Sequence, residues 1–167
     1  MTAGSVGTSP GSGGHGRLRA GHRRRRRARR AAVDILYQAD VTGREPLEVV
    51  EEWRSAGRAI PDYAVELVGG VQHDLGRIDE VLGTHSDEWT VHRMAVVDRT
   101  ILRVASRELA AGVPAAVAIN EAVELANELS TEDSGRFING VLGRIARELD
   151  AGPSDGERPP QDEPGSP

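Results

Sequence analysis

Seven arginines occupy the eight positions from Arg23 to Arg30, interrupted only by Ala28. Guanidinium groups at this density are suited to phosphate: each is permanently charged, and its planar fork of donors matches two phosphate oxygens at once. The run cannot point one way on a helix, and positive charge near a helix N-terminus opposes the macrodipole. It is therefore expected to fray and repel itself in the free protein and to be relieved by a polyanion. Neutralising about six phosphates of a single strand gives a slope near −4 for log affinity against log salt. The same run also reads as a solvated charge patch or targeting tail, and alone it names no particular nucleic acid.

Other chemistry finds little support. His15, His22, His73, His85 and His92 have no metal-ligand spacing, and without cysteine there is neither a thiolate site nor a disulfide framework. No cofactor is expected. Gly11-Ser12-Gly13-Gly14 follows no strand pattern, so it does not qualify as a phosphate-cradling loop. Glu51-Glu52 and Glu121/Glu124 have the spacing of solvated helix faces, which does not indicate a general acid–base pair.

The elements that must carry the arginines are helical. From Ala28, a stripe of Ala32, Ile35, Leu36 and Ala39 ends near Thr42-Gly43, and a weaker helix follows from Pro46 to Ala56. Ala64, Leu67, Val68, Val71, Leu75, Ile78 and Leu82 outline a long amphipathic helix, in which Gly69, Gly70 and Gly76 suggest close packing. Ser86–Trp89 reads as a capped turn. Three more helices carry Met94 to Leu109, Ile119 to Leu129 and Ile138 to Leu149. The last is expected to start at a weak capping box, Ser130 with Asp133. No strand is predicted, so the expectation is an all-α bundle or two small bundles.

Charge divides the chain. Residues 1–30 carry +9, residues 31–150 carry −11 and residues 151–167 carry −3, within a net −5 over 167 residues. A basic arm for a polyanion is thus joined to a body that repels one. All 21 basic residues are arginine, which composition bias explains as readily as phosphate binding. We expect a disordered leader at 1–22, a helical nucleic-acid-binding domain at 23–150 and a disordered acidic tail at 151–167, which would screen the arm against nonspecific polyanions. No apolar run is long enough to span a membrane and no signal peptide is recognisable, so a soluble, cytoplasmic protein is expected.

Two blocks carry a family resemblance. The first is Arg25-Arg26-Arg27-Ala28-Arg29-Arg30-Ala31-Ala32-Val33-Asp34-Ile35-Leu36-Tyr37-Gln38. The second runs from Leu102-Arg103-Val104 through Ala118-Ile119-Asn120-Glu121-Ala122 to Glu132-Asp133-Ser134-Gly135-Arg136-Phe137-Ile138-Asn139-Gly140-Val141-Leu142. Both resemble the transcription antitermination factor NusB family over about residues 23–149.

The resemblance implies two three-helix subdomains and a non-enzymatic protein. Its partners would be single-stranded boxA RNA of ribosomal RNA leader transcripts, the ribosomal protein NusE, and the RNA polymerase elongation complex with other Nus factors. Arg24, Arg25, Arg26, Arg27, Arg29 and Arg30 would meet the RNA backbone. Asp133, Arg136 and Phe137 would form a second RNA-facing surface, and Asp98 would contact NusE. Plainer readings stay open beside these: Phe137 as core next to Ile138 and Val141, Asp133 as a helix cap, Asp98 as half of a surface pair with Arg99. Two other functions also remain, a self-associating module that sequesters its arm, as in a homodimer, and an orphan NusB-like domain related to RNA methyltransferases. Against the latter, nothing after Asp150 suits a cofactor-binding α/β domain.

Overall fold

The computed structural model describes residues 13–86 and 90–152, and among these there are six α-helices, one 3₁₀ turn and no strand. The helices are α1 (Gly13–Thr42), α2 (Pro46–Ser55), α3 (Asp62–His85), α4 (Val96–Ala110), α5 (Ala115–Leu129) and α6 (Glu132–Ala151), with the 3₁₀ turn at Val91–Arg93. The predicted turn at Ser86–Trp89 falls mostly outside the described residues, as do 1–12 of the expected leader and 153–167 of the expected tail.

The chain forms two compact units, Met1–His73 and Asp74–Pro167, divided within α3. The first contains α1, α2 and the start of α3. Ala32, Ile35, Leu36 and Ala39 of α1 are buried, as are Val49 and Val50 of the contacting α2. Trp53 Nε1 donates to Gln38 Oε1 at 2.9 Å, so the polar end of the indole is satisfied between these helices. The Arg58 guanidinium lies 4.2 Å from the centre of the Trp53 ring. Leu47 N donates to Gln72 Oε1 at 3.0 Å, tying α2 to α3.

In the second unit α4, α5 and α6 pack on one another around Ile101, Leu102, Leu125, Ile138, Val141 and Leu142. Its clearest polar tie is a fork: Arg103 Nε and Nη2 donate to the two oxygens of Asp79 at 2.8 and 2.7 Å. The two side chains are only 13% and 25% exposed, so the pair is shielded from solvent screening. Asp79→Ala removes this partner and is expected to lower the unfolding free energy by about 2 kcal/mol. Urea denaturation reads this, and an unchanged midpoint would deny the pair a structural role.

Helix ends follow backbone chemistry. Gly43 and Gly112 have φ of +66° and +81°, a region that glycine enters without steric cost, and each is followed by a closing bond, Arg44 N to Ala39 O and Val113 N to Glu108 O, both 3.0 Å.

Four expectations change. The first helix starts at Gly13 rather than near Ala28, so Gly13–His22 of the expected leader is helical. Arginine is a good helix former, and propagation adds one hydrogen bond per residue fixed. Secondly, Leu75 and Leu149 lie on the exposed side of their helices despite fitting the apolar stripes. Thirdly, a Cβ at Gly76 would meet nothing within 4 Å, so close packing does not explain that glycine; at Gly69 it would touch Leu47 Cδ2 at an ordinary 3.9 Å. Lastly, α6 is capped by Thr131, whose hydroxyl accepts from Ser134 N at 3.3 Å, in place of the box expected at Ser130 and Asp133.

Candidate nucleic-acid and partner interface

The arginine run lies inside α1, well past its first turn. The macrodipole acts mainly within the first turn, so starting the helix at Gly13 removes the run from the position where it would fray most. Arg24, Arg25, Arg26 and Arg27 are exposed and Arg30 is half-buried. Arg25 leans over Tyr63 of α3, its guanidinium carbon 5.0 Å from the ring centre, a cation–π contact that holds the charge in place. Arg30 Nε donates to Asp34 Oδ1 at 3.1 Å, one turn further along the helix.

Arg29 differs from its neighbours. It is 2% exposed, on the same side of the helix as Ala28 and Ala32. Its guanidinium is part of the protein interior in this conformation and is not presented to solvent, which removes it from the surface that the run offers to phosphate. Periodicity accounts for this: seven arginines in eight helical positions must place one on the buried side.

The second group of expected site residues converges. Asp98 in the first turn of α4, with Asp133 and Phe137 at the start of α6, lines a cavity of about 320 Å³, together with Arg93, Met94, Ala95, Thr131 and Ser134. Arg136 is not part of its lining. It sits outside on α6, 77% exposed, with Asp133 3.8 Å away and 94% exposed, a pair too solvated to contribute much stability. Asp133 is therefore a solvent-facing residue of the first turn and does not cap the helix.

Asp98 is 8% exposed, so it is not half of a surface pair with Arg99. Ser134 Oγ donates to Asp98 Oδ2 at 2.9 Å, joining α4 to α6 across 36 positions of sequence. Ser134 Oγ also lies 2.9 Å from Ser130 Oγ and 3.0 Å from Thr131 Oγ1, which completes a small hydroxyl network behind the carboxylate. Among the described residues, nothing donates to Asp98 Oδ1, although that oxygen is buried. A carboxylate oxygen left in this state is a strong acceptor, and leaving it unsatisfied is costly. Phe137 is half-buried on the cavity wall and is absent from the fully buried core formed by Ile138 and Val141. The cavity thus has Phe137 and Met94 in its walls, with Asp98 and Asp133 among the other lining residues. Arg93, Met94 and Ser134 were not anticipated from sequence, since no local pattern connects them to Asp98.

Among the described residues no group of three His, Asp or Glu is placed to hold a metal ion, and no helix is long and apolar enough to cross a membrane. Among the described residues, an arginine-rich helix and a cavity lined in part by Asp98 have the makings of a small helical binding protein. The chain belongs to the NusB family, whose model matches residues 26–147. It is 48% identical over 128 residues to the transcription antitermination protein NusB of Salinispora tropica, covering 73% of this chain and 94% of that protein. It is 44% identical over 135 residues to the transcription antitermination protein NusB of Rubrobacter xylanophilus, covering 80% and 97% respectively. Among solved structures it is similar to T. maritima NusB, at 34% identity and a TM-score of 0.68, covering 74% of this chain and 91% of that one. It is also similar to a chain in the crystal structure of antitermination factors NusB and NusE in complex with dsRNA, at 28% identity and a TM-score of 0.67, covering 75% and 97%.

Proposed function

We propose that this protein is a cytoplasmic RNA-binding antitermination factor that takes boxA RNA of ribosomal RNA leader transcripts together with NusE, within an RNA polymerase elongation complex that includes other Nus factors. It suppresses premature termination by binding and catalyses no reaction. The observation that carries this reading is the group of exposed arginines from Arg24 to Arg27 on α1, with half-buried Arg30; Arg26, Arg27 and Arg30 fall inside the family-matched region. Arg24, Arg25, Arg26, Arg27 and Arg30 grip the sugar–phosphate chain, while unpaired bases expose edges and faces for sequence to be read. Phe137 supplies a face on which a base stacks, beside Asp133 and Arg136. Asp98 accepts a hydrogen bond from NusE at Oδ1, which docking uncovers.

Titration of the full chain with a boxA RNA and a scrambled single strand, each with and without NusE, tests the proposal. BoxA is expected to bind more tightly, and NusE to widen the gap. Phe137→Ala is expected to weaken boxA binding roughly 10-fold, within the usual worth of a base–aromatic stack. Equal binding of both RNAs under all conditions would reduce the protein to a general polyanion binder.

A further inference from the structure

The arginines of α1 do not stop where the family match begins. Arg19 and Arg23 precede residue 26, lie on the same continuous helix and are exposed. At about 100° per residue, Arg19, Arg23, Arg26 and Arg30 fall within about 60° of one another, with Arg27 beside them. The buried positions Ala28, Ala32, Ile35, Leu36 and Ala39 centre on the opposite side of the helix. The outward face is therefore a track of guanidinium groups about 16 Å long from Arg19 to Arg30, given the rise of an α-helix. No acid occurs in the chain before Asp34, which pairs with Arg30 and closes the track at that end. Pairs such as Arg19/Arg23 and Arg23/Arg27 place like charges one turn apart, which disfavours the helix until something neutralises them.

We propose that Arg19 and Arg23 form a second phosphate-binding stretch, which holds the single-stranded RNA flanking the element gripped by Arg26, Arg27 and Arg30. Charge complementarity and continuity with the arginines of the family-matched region identify the occupant as a phosphodiester chain. The inference rests on the RNA-binding reading above. These contacts lengthen the bound strand without reading bases, because guanidinium–phosphate contacts position a strand and carry no sequence information.

Two RNAs test this on the full chain: the boxA element alone, and the same element with unstructured uridine flanks. Arg19→Gln with Arg23→Gln retains good helix formers. This double variant is expected to lose about 25-fold in affinity for the flanked RNA near 0.1 M salt, and its salt slope is expected to shrink by about 1.4, while the short RNA binds as before. Arg19→Lys with Arg23→Lys keeps the charges and should restore the slope, and circular dichroism checks that helix content is retained. Unchanged binding of the flanked RNA would overturn the inference, as would equal losses on both RNAs, which would place these arginines at the element itself. If the unmodified chain binds neither RNA, the RNA-binding reading fails first.

Discussion

Replacing Arg25, Arg26, Arg27 and Arg30 together by glutamine should cost about 600-fold in RNA affinity near 0.1 M salt while the protein stays folded. The magnitude follows from counterion release: each phosphate contact on a single strand contributes about 0.7 to the salt exponent, so four contacts contribute about 2.8. The fold should survive because Arg25, Arg26 and Arg27 are exposed, Arg30 is only half-buried, and glutamine is a comparable helix former. Arg29 is deliberately left in place. At 2% exposure its removal would disturb the interior, and a loss of binding through misfolding would resemble a loss of phosphate contact. Affinity measured by fluorescence anisotropy, with helix content followed in parallel, separates the two. RNA capture that persists in a folded quadruple variant would rule out the arginine grip.

The second large effect concerns the cavity. Asp98→Asn preserves shape, and the amide oxygen can still accept from Ser134 Oγ, so the tie between α4 and α6 survives. The other arm of the side chain changes from a buried acceptor to a donor. A partner that donates a hydrogen bond to Asp98 Oδ1 then meets a like group and loses a charge-assisted bond, worth about 1.5–3 kcal/mol, or roughly 10- to 150-fold in affinity. NusE binding should fall by that factor, whereas affinity for RNA alone should be almost unchanged and the melting temperature should move little. NusE binding at full strength would show that the orphan oxygen is not a docking contact.

Both predictions depend on features that were unequally legible in the sequence. The arginine run needed only counting, and the stripes Ala32–Ile35–Leu36–Ala39 and Ile138–Val141–Leu142–Ile145 mark buried helix faces because side-chain direction repeats every 3.6 residues. Where α1 begins was not legible. Gly13–His22 has no apolar periodicity, and its helicity extends an element already nucleated downstream. The cap of α6 was misplaced by one residue, since Ser130, Thr131 and Ser134 are all competent and only the backbone selects Thr131.

The site divides in the same way. Asp98, Asp133 and Phe137 were singled out by family resemblance, and all three line one cavity. The burial of Asp98 could not be foreseen, because an Asp-Arg pair in a first helical turn ordinarily faces water and the partner that changes this, Ser134, lies 36 residues away. The burial of Arg29 follows from helical phase, yet composition alone groups it with six similar neighbours.

The most direct measurement of the central claim is the salt dependence of RNA binding by the unmodified chain. If guanidinium groups on α1 displace about six counterions from a single strand, log affinity falls linearly against log salt with a slope near −4. A slope close to zero, with affinity intact, would mean that contacts other than these arginines hold the transcript, and would contradict the role assigned to α1.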